Sequence, residues 1–407
     1  TKQTSALEDE MRNFKTASDR QAERVLGAGA SDAERKKFED RLFSGMDKGL
    51  NFDKYDNIHV EVSGRDVPPG VERFDDLDLP KTLLNNVKLA KFTKPTPVQK
   101  HALPVVLAGR DIMSCAQTGS GKTAAFLLPI IAGVEAALSD RRTQQQQHQH
   151  SRFGGRGRYS IAHPRALILA PTRELASQIY AESTKFSYQT RVRPCVVYGG
   201  ARVQIQMANM RRGCDLLVAT PGRLVDLLQR HALELSDCRY LCLDEADRML
   251  DMGFEIQIRE IVERFDMPRR GDRLTMMFSA TFPQQIQRLA GDFLDSDYVF
   301  ITVGRIGSTT DNITQRVEFV PEQDKEEMLL RLLYDVKGLT LVFVERKSEA
   351  DQIEYGLRKR GIPATSIHGD RDQRERESAL HLFKTQQCPI LVATDVAARG
   401  LDIPEVA

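Results

Sequence analysis

Ala116-Gln-Thr-Gly-Ser-Gly-Lys-Thr123 follows a short apolar run, 112–116, and opens into a helical pattern. Small residues at such a turn let backbone N–H groups point inward and cradle phosphate oxygens. Lys122 is placed to reach β- and γ-phosphates, and the Thr123 hydroxyl to ligate Mg²⁺. Position 116 holds Ala where the general phosphate-loop pattern has Gly, so the strict motif fails by one residue. A Gly-Lys-Thr that opens a helix directly after an apolar strand still separates this loop from a chance Gly-rich turn. The loop therefore predicts a strand–loop–helix unit of the α/β class.

Further apolar runs of the same kind occur at 166–170, 195–198, 216–219, 240–243, 276–278 and 299–303. None shows strict alternation, which suits a parallel sheet covered on both faces. After a Gly-, Ser- and Thr-rich break at 304–312, the alternation of strand and helix patterns restarts with 317–319, 341–344, 364–367 and 390–393. Two α/β domains follow: residues 49–304 form the first, 305–312 a linker, and 313–407 an incomplete second. The distinctive residues sit just after strands, at the carboxyl edge where open parallel sheets bind ligands. Two such edges facing each other would make a nucleotide cleft and a channel for a polymer.

Asp244-Glu-Ala-Asp247 closes the run 240–243. Alone it could equally be the solvated start of a helix. Paired with the phosphate loop, it reads as the acidic partner of a nucleotide site. Asp244 is then placed to hold Mg²⁺ through water, and Glu245 to orient and deprotonate the attacking water.

Bulk properties bound the rest. The chain has 407 residues, 58 basic and 57 acidic, for a net charge of +1, so any nucleic-acid contact must come from locally gathered cations. No stretch approaches the ~18 uninterrupted apolar residues of a membrane span; the run 126–138 is broken by Pro129, Gly133 and Glu135. The six cysteines form no Cys-x-x-Cys pair, and we read them as reduced thiols without a zinc site. Residues 1–48 are highly charged and are expected to be a largely disordered tail with no packed core. Residues 140–163, with Gln144 to Gln147 and Arg-Gly elements at 152–158, read as a flexible insert. Arg156 and Arg158 there are candidates for an auxiliary RNA contact.

Asp-Glu-Ala-Asp gives its name to a helicase family, and the remaining motifs follow in that family's order. The chain resembles a DEAD-box ATP-dependent RNA helicase over about residues 49–407, with two RecA-like domains in tandem. Phe92, Thr93, Lys94, Pro95, Thr96, Pro97, Val98 and Gln99 resemble the family's Q motif, with Lys91 where Gly is usual. By resemblance, Gln99 reads the adenine edge, Phe92 packs on its face, and Phe74 is the isolated upstream aromatic. Ala116, Gln117, Thr118, Gly119, Ser120, Gly121, Lys122 and Thr123 bind the phosphates, and Gly400 and Asp402 complete the site from the second domain. Ser279-Ala-Thr281 is similar to the motif coupling hydrolysis to RNA, with Ser279 expected to contact the Asp244–Asp247 loop. Lys122, Asp244, Glu245, Asp247, Ser279 and Thr281 are thus the implied catalytic set.

The resemblance also selects RNA contacts: Pro171, Thr172, Arg173, Gly199, Gly200, Thr220, Gly222 and Arg223 from the first domain, and Gly369, Gln373, Arg376 and Thr394 from the second. Taken singly, any of these basic residues could be ordinary solvated surface. Segments 341–347 and 393–402 also match second-domain motifs, with Glu345-Arg346 where the family usually has Glu-Thr. Residues 49–55, 247–254 and 304–315 look like the Belle and Vasa branch, and 312–315 and the segment upstream of Asn51 lean towards Belle.

The resemblance implies ATP and Mg²⁺ as cofactors and sequence-independent binding of single-stranded or short duplex RNA. It also implies a monomeric core with no membrane partner, acting in the cytoplasm and in RNA granules. The expected activity is RNA-stimulated ATP hydrolysis that separates short duplexes; the alternative is an ATP-gated RNA clamp or granule scaffold. A DNA translocase on the same motor fold is disfavoured by the Q motif and by Ser279-Ala-Thr281. The chain starts at Thr1 and stops at Ala407. It therefore reads as truncated before the family's arginine-rich motif, which would leave it slow or inactive, since such arginines contribute about 10³–10⁵ in rate.

Overall fold

The computed structural model describes residues 32–43, 58–147, 161–304, 314–336, 338–394 and 406. These divide into two compact units, the boundary falling at residues 308–309. Our linker, 305–312, lies outside the described residues, as does most of the insert, 148–160.

The first unit holds one eight-stranded sheet: β1 (Val60–Ser63), β2 (Ile112–Ala116), β3 (Ala166–Leu169), β4 (Pro194–Val197), β5 (Leu216–Ala219), β6 (Tyr240–Leu243), β7 (Leu274–Ser279) and β8 (Val299–Val303). The order is β1-β8-β2-β7-β6-β3-β5-β4, parallel except for β1, which runs antiparallel to β8. Successive side chains on a strand point to opposite faces, and here both faces are core. Ala166 and Ile168 join one apolar cluster while Leu167 and Leu169 join the other. Leu216 and Val218 divide from Leu217 and Ala219 in the same way.

Helices cover both faces. Lys122–Gln147 continues from the phosphate loop and runs into what we read as the insert. Its Lys122–Asp140 part is long and apolar enough to cross a membrane, which the broken-run argument did not anticipate. Its first half is core helix: Phe126, Leu127, Leu128, Ile130 and Ile131 are fully buried. Across the insert, Ala162 bridges to Leu233.

The second unit carries β9 (Thr340–Val344), β10 (Ala364–Ile367) and β11 (Ile390–Thr394), all parallel, in the order β10-β11-β9. The helix Gln373–Lys384 packs Ala379 and Phe383 against Ile367, Leu391 and Ala393. The helix Lys347–Lys359 packs Ala350 and Leu357 against Ala364, Ile390 and Val392. The strand expected at 317–319 does not form. Val317 and Phe319 are 99% and 97% exposed, and among the described residues no strand pairs with them.

The expectation of a structureless tail fails for residues 32–43. Asp32–Leu42 is a helix whose apolar side docks on the first unit. Phe38 stacks on Tyr188 at 5.8 Å, Phe43 meets the same ring edge-on at 6.1 Å, and the Tyr188 hydroxyl donates to Glu39 at 3.0 Å. Asn86 fixes the other side, its Nδ2 donating to the carbonyls of Phe186 and Tyr188. Two aromatics five positions apart, Phe38 and Phe43, were hidden by the charge of the surrounding segment. Tyr188→Ala should destabilise the first unit by about 3–5 kcal/mol in chemical denaturation, and Tyr188→Phe by only about 0.5–1.5 kcal/mol. Hydrogen exchange should show the 32–42 amides losing protection in Tyr188→Ala.

Candidate nucleotide and RNA site

The carboxyl ends of β2, β6 and β7 bring the phosphate loop, Asp244–Asp247 and Ser279–Thr281 onto one edge of the sheet. Gly119 and Gly121 have φ of +77° and +89°, the left-handed region that glycine adopts without strain. A Cβ on Gly121 would also lie 2.5 Å from Gln99 Nε2, so the loop and the Q motif approach to a distance only glycine permits.

Gln99 is buried, and its amide is engaged with the chain itself. Oε1 accepts from Thr96 N at 3.0 Å, and Nε2 donates to the Gly121 carbonyl at 2.9 Å. In this structure it ties the Q motif to the phosphate loop. Pro97, the first residue of the helix Pro97–Leu107, suits that position because its missing N–H would be unpaired there in any case. Phe74 and Phe92 lie 6.2 Å apart, and Phe92 meets Phe186 edge-on at 5.8 Å. Phe74 and Phe92 line one pocket with Thr93, Lys94 and Arg73.

Lys122 is buried, with Nζ donating to the Ala116 carbonyl at 2.9 Å. Ser120 Oγ closes the loop onto the Gln117 carbonyl at 2.8 Å. Thr123 is the second residue of the helix, on the same edge. Asp244 is buried; desolvation raises its carboxyl above the usual range, opposed by Lys122. Glu245 is pushed up to about 7 by burial and by Asp244. Its Oε2 has no hydrogen-bond partner, and Arg248 Nε stands 3.9 Å away.

Ser279 was expected to contact the Asp244–Asp247 loop; its hydroxyl makes no hydrogen bond to that loop. Its hydroxyl is fully buried without a hydrogen-bond partner. The contact is made by its neighbours: Asp247 Oδ2 accepts from Ala280 N at 3.2 Å, Thr281 N at 2.9 Å and Thr281 Oγ1 at 2.8 Å.

The first-unit RNA candidates lie after β3, β4 and β5. Pro171 and Thr172 are buried, and Thr172 caps its helix by accepting from Leu175 N at 3.2 Å. Arg173 lies across the Gly199-Gly200 turn. A Cβ on Gly200 would fall 2.1 Å from its Nη1, and Gly200 has φ +80°, so the guanidinium and the backbone both favour glycine at 200, whereas a Cβ on Gly199 would meet Arg173 only at an ordinary 3.5 Å. Thr220 is buried at the start of the helix Pro221–Gln229, and Gly222 is exposed. Arg223, read as a phosphate contact, donates to the Ala201 carbonyl at 3.2 Å and to Gln206 Oε1 at 2.9 Å. Gln206 is a member of this edge that sequence reasoning missed; its Nε2 donates to the Tyr198 carbonyl at 3.0 Å, so it braces the turn from below.

In the second unit, Gly369 is exposed after β10, Gln373 opens its helix with Nε2 donating to Glu377 at 2.9 Å, and Arg376 follows one turn on. Thr394 ends β11. Gly400 and Asp402 lie outside the described residues, as do Arg156 and Arg158. Among the described residues no cluster of three or more His, Cys, Asp and Glu could hold a metal ion.

A phosphate loop, an acidic strand end and a bridged third strand on one RecA-like sheet define a nucleotide-driven motor. Comparison with known proteins agrees. Residues 96–289 match the DEAD/DEAH box helicase model, and residues 324–407 match the helicase conserved C-terminal domain. The yeast DEAD-box splicing factor Prp28 is 30% identical, with 93% of this chain and 80% of that one covered, at a TM-score of 0.53. Dbp5 of S. cerevisiae bound to RNA and ADP BeF3 is 29% identical, with coverage of 83% and 79%, at a TM-score of 0.68. A Dbp5 variant bound to Gle1 and IP6 is 28% identical, with coverage of 84% and 79%, at a TM-score of 0.61.

The chain belongs to the DEAD-box family of ATP-dependent RNA helicases. It is an RNA-dependent ATPase with two RecA-like domains.

The two glycines of the RNA edge should behave oppositely on adding a methyl group. Gly200→Ala must displace Arg173 and hold a strained φ, and should cost about 1–3 kcal/mol. Gly222→Ala meets nothing within 4 Å inside a helix and should be neutral or stabilising, by up to about 1 kcal/mol. Thermal unfolding of the two variants checks this.

Proposed function

We propose that this chain couples RNA binding to ATP hydrolysis through the bridge between Asp247 and Thr281, and that it separates short duplexes or remodels RNA–protein complexes without reading sequence. The carrying observation is the Asp247 carboxylate, which accepts three hydrogen bonds from residues 280–281. Asp247 belongs to the hydrolysis loop and Thr281 to the end of β7, so a change at one displaces the other.

The residue roles follow. The phosphate-loop amides and Lys122 hold the phosphates, with Lys122 leaving the Ala116 carbonyl to do so. Thr123 and Asp244 hold Mg²⁺, which neutralises charge on the transferred phosphoryl group. Glu245 takes the proton of the attacking water; burial tunes it near neutrality, where a base is both ionised and still basic. Phe74 and Phe92 pack on adenine, while Gln99 senses it with the amide that also holds the loop.

Arg173, Arg223 and Thr220 in the first unit and Gln373, Arg376 and Thr394 in the second contact the RNA backbone. Such contacts are sequence-independent, and each phosphate neutralised steepens the dependence of log K on log salt by about 0.7 for a single strand. Dbp5 bound to RNA and ADP BeF3 supports this reading. The motifs at 49–55, 247–254 and 304–315 support placing the chain in the Belle and Vasa branch, closer to Belle, with a cytoplasmic site of action.

Two measurements test the proposal. ATP hydrolysis should rise on adding single-stranded RNA but not DNA, and a short RNA duplex should separate. Duplex retention in salt-sensitive form, without separation, would favour a clamp instead. Turnover should fall about tenfold per pH unit well below 7 and level off above it, because protonated Glu245 is no base. Glu245→Gln should bind ATP and lose turnover with that pH limb; turnover equal to the parent's would remove Glu245 from the base role.

A further inference from the structure

Beneath the loop 368–372 of the second unit lies a buried polar network that none of the assigned roles uses. Arg371 Nη2 donates to Asp351 Oδ1 at 2.9 Å, Glu354 Oε2 at 2.9 Å and Ser366 Oγ at 3.0 Å. Ser366 Oγ donates in turn to Glu354 Oε2 at 2.6 Å, and His368 Nε2 meets Asp351 Oδ1 at 2.9 Å. Glu354, Ser366 and His368 are all buried. One guanidinium from the loop therefore neutralises two carboxylates on the helix Lys347–Lys359 and engages the hydroxyl of Ser366 on β10.

That loop leads into the helix bearing Gln373 and Arg376. Asp372 and Glu375 cap the helix reciprocally, with Glu375 N donating to Asp372 at 2.8 Å and Asp372 N to Glu375 at 2.9 Å. Lys347 Nζ holds Asp370 at 2.6 Å at the loop's tip. Gly369 sits between these ties. The loop is thus pinned from below by Arg371, at one end by the cap and at its tip by Lys347. Without the guanidinium, Glu354 keeps Arg358 at 3.2 Å and Asp351 keeps His368 at 2.9 Å, and the loop loses its tie from Arg371 to the helix.

We propose that Arg371 is a positioning residue: it sets the loop 368–372, and through it Gly369, Gln373 and Arg376, in the geometry that grips the RNA backbone. This rests on the reading of those three residues as RNA contacts. Arg371 itself points its Nη2 into the network and away from that role. All three bonds leave one nitrogen, Nη2, while Nη1 stands 3.8 Å from Glu375, so a single lysine ammonium could serve the first set but not both sides.

The test is RNA affinity of the full chain, read by fluorescence anisotropy of a labelled oligouridine with ADP–beryllium fluoride across a salt series, with nucleotide affinity measured in parallel. Arg371→Ala should weaken RNA binding about tenfold and leave nucleotide affinity unchanged, and Arg371→Lys should recover only part of the loss. Glu354→Gln, which removes no cation, should also weaken RNA binding, and the double variant should bind no worse than Arg371→Ala. Should Arg371→Ala not fold, Glu354→Gln and Ser366→Ala carry the same expectation. A direct phosphate contact would leave Glu354→Gln at parent affinity and flatten the salt slope of Arg371→Ala by about 0.7, which overturns the proposal. Arg376→Ala separates the two readings. If it and Arg371→Ala both bind like the parent, the RNA edge is misassigned and this inference falls with it. If only Arg376→Ala weakens binding, this inference alone falls.

Discussion

A strand buried on both faces has room for few polar side chains before it ends, because an unpaired polar group there costs about 1–3 kcal/mol; Ser114 on β2 is an exception. That constraint arranges the first unit. The side chains of β2, β3, β5 and β7 are almost entirely buried, and the reactive residues begin where those strands stop. The opposite edge obeys the same rule with a different result. Asp111, just before β2, accepts from Thr275 N at 2.7 Å and Asp295 N at 2.8 Å. Arg273, just before β7, donates to Thr275 Oγ1 and to the carbonyls of Pro268 and Phe293. Asp111 and Arg273 at that edge are consumed in joining strands, although Arg110 Nε beside them has no hydrogen-bond partner. At the carboxyl edge, Glu245 Oε2 and Ser279 Oγ have no hydrogen-bond partner.

The same constraint explains what could be read in advance. Strands buried on both faces write themselves as continuous apolar runs, and β2, β5, β6, β8 and β10 were legible to the residue. β1 was not, because it is a half-buried edge strand whose Glu61 and Ser63 face solvent and whose four residues give too short an alternation. The 317–319 run misled for the converse reason: its apolar residues have no partner strand among the described residues. The helix Asp32–Leu42 was hidden because its docking depends on Tyr188, some 150 positions away in sequence terms.

Site residues were legible as identities but not as partnerships. The phosphate loop and Asp244–Asp247 follow from local order along the chain. That Thr281 rather than Ser279 meets Asp247, that Arg223 braces Ala201 and Gln206, and that Gln99 holds Gly121 are facts of long-range packing. Arg371 is the extreme case. It reads as one cation in a charged helix start, and only the fold reveals that it collects Asp351, Glu354 and Ser366.

Glu245 shows how the backbone aims a carboxylate whose Oε2 makes no hydrogen bond. Lys91, Gln189, His231 and Gln386 also have positive φ, and each lies just past the end of a helix, where a left-handed residue is a common way to stop. Glu245, at φ 51° and ψ 52°, instead precedes a helix, Ala246–Asp251, so that account does not cover it. Such a conformation costs about 1–3 kcal/mol in a non-glycine residue and persists only where neighbours over-determine it. Here Asp244 Oδ1 accepts from Glu245 N at 3.0 Å on one side, and on the other Asp247 is held by residues 280–281. The chain is clamped before and after Glu245, and the strained turn between the clamps directs the carboxylate. Because one clamp is the bridge to the end of β7, any displacement of Thr281 is transmitted to the aim of Glu245 without a side-chain contact between them.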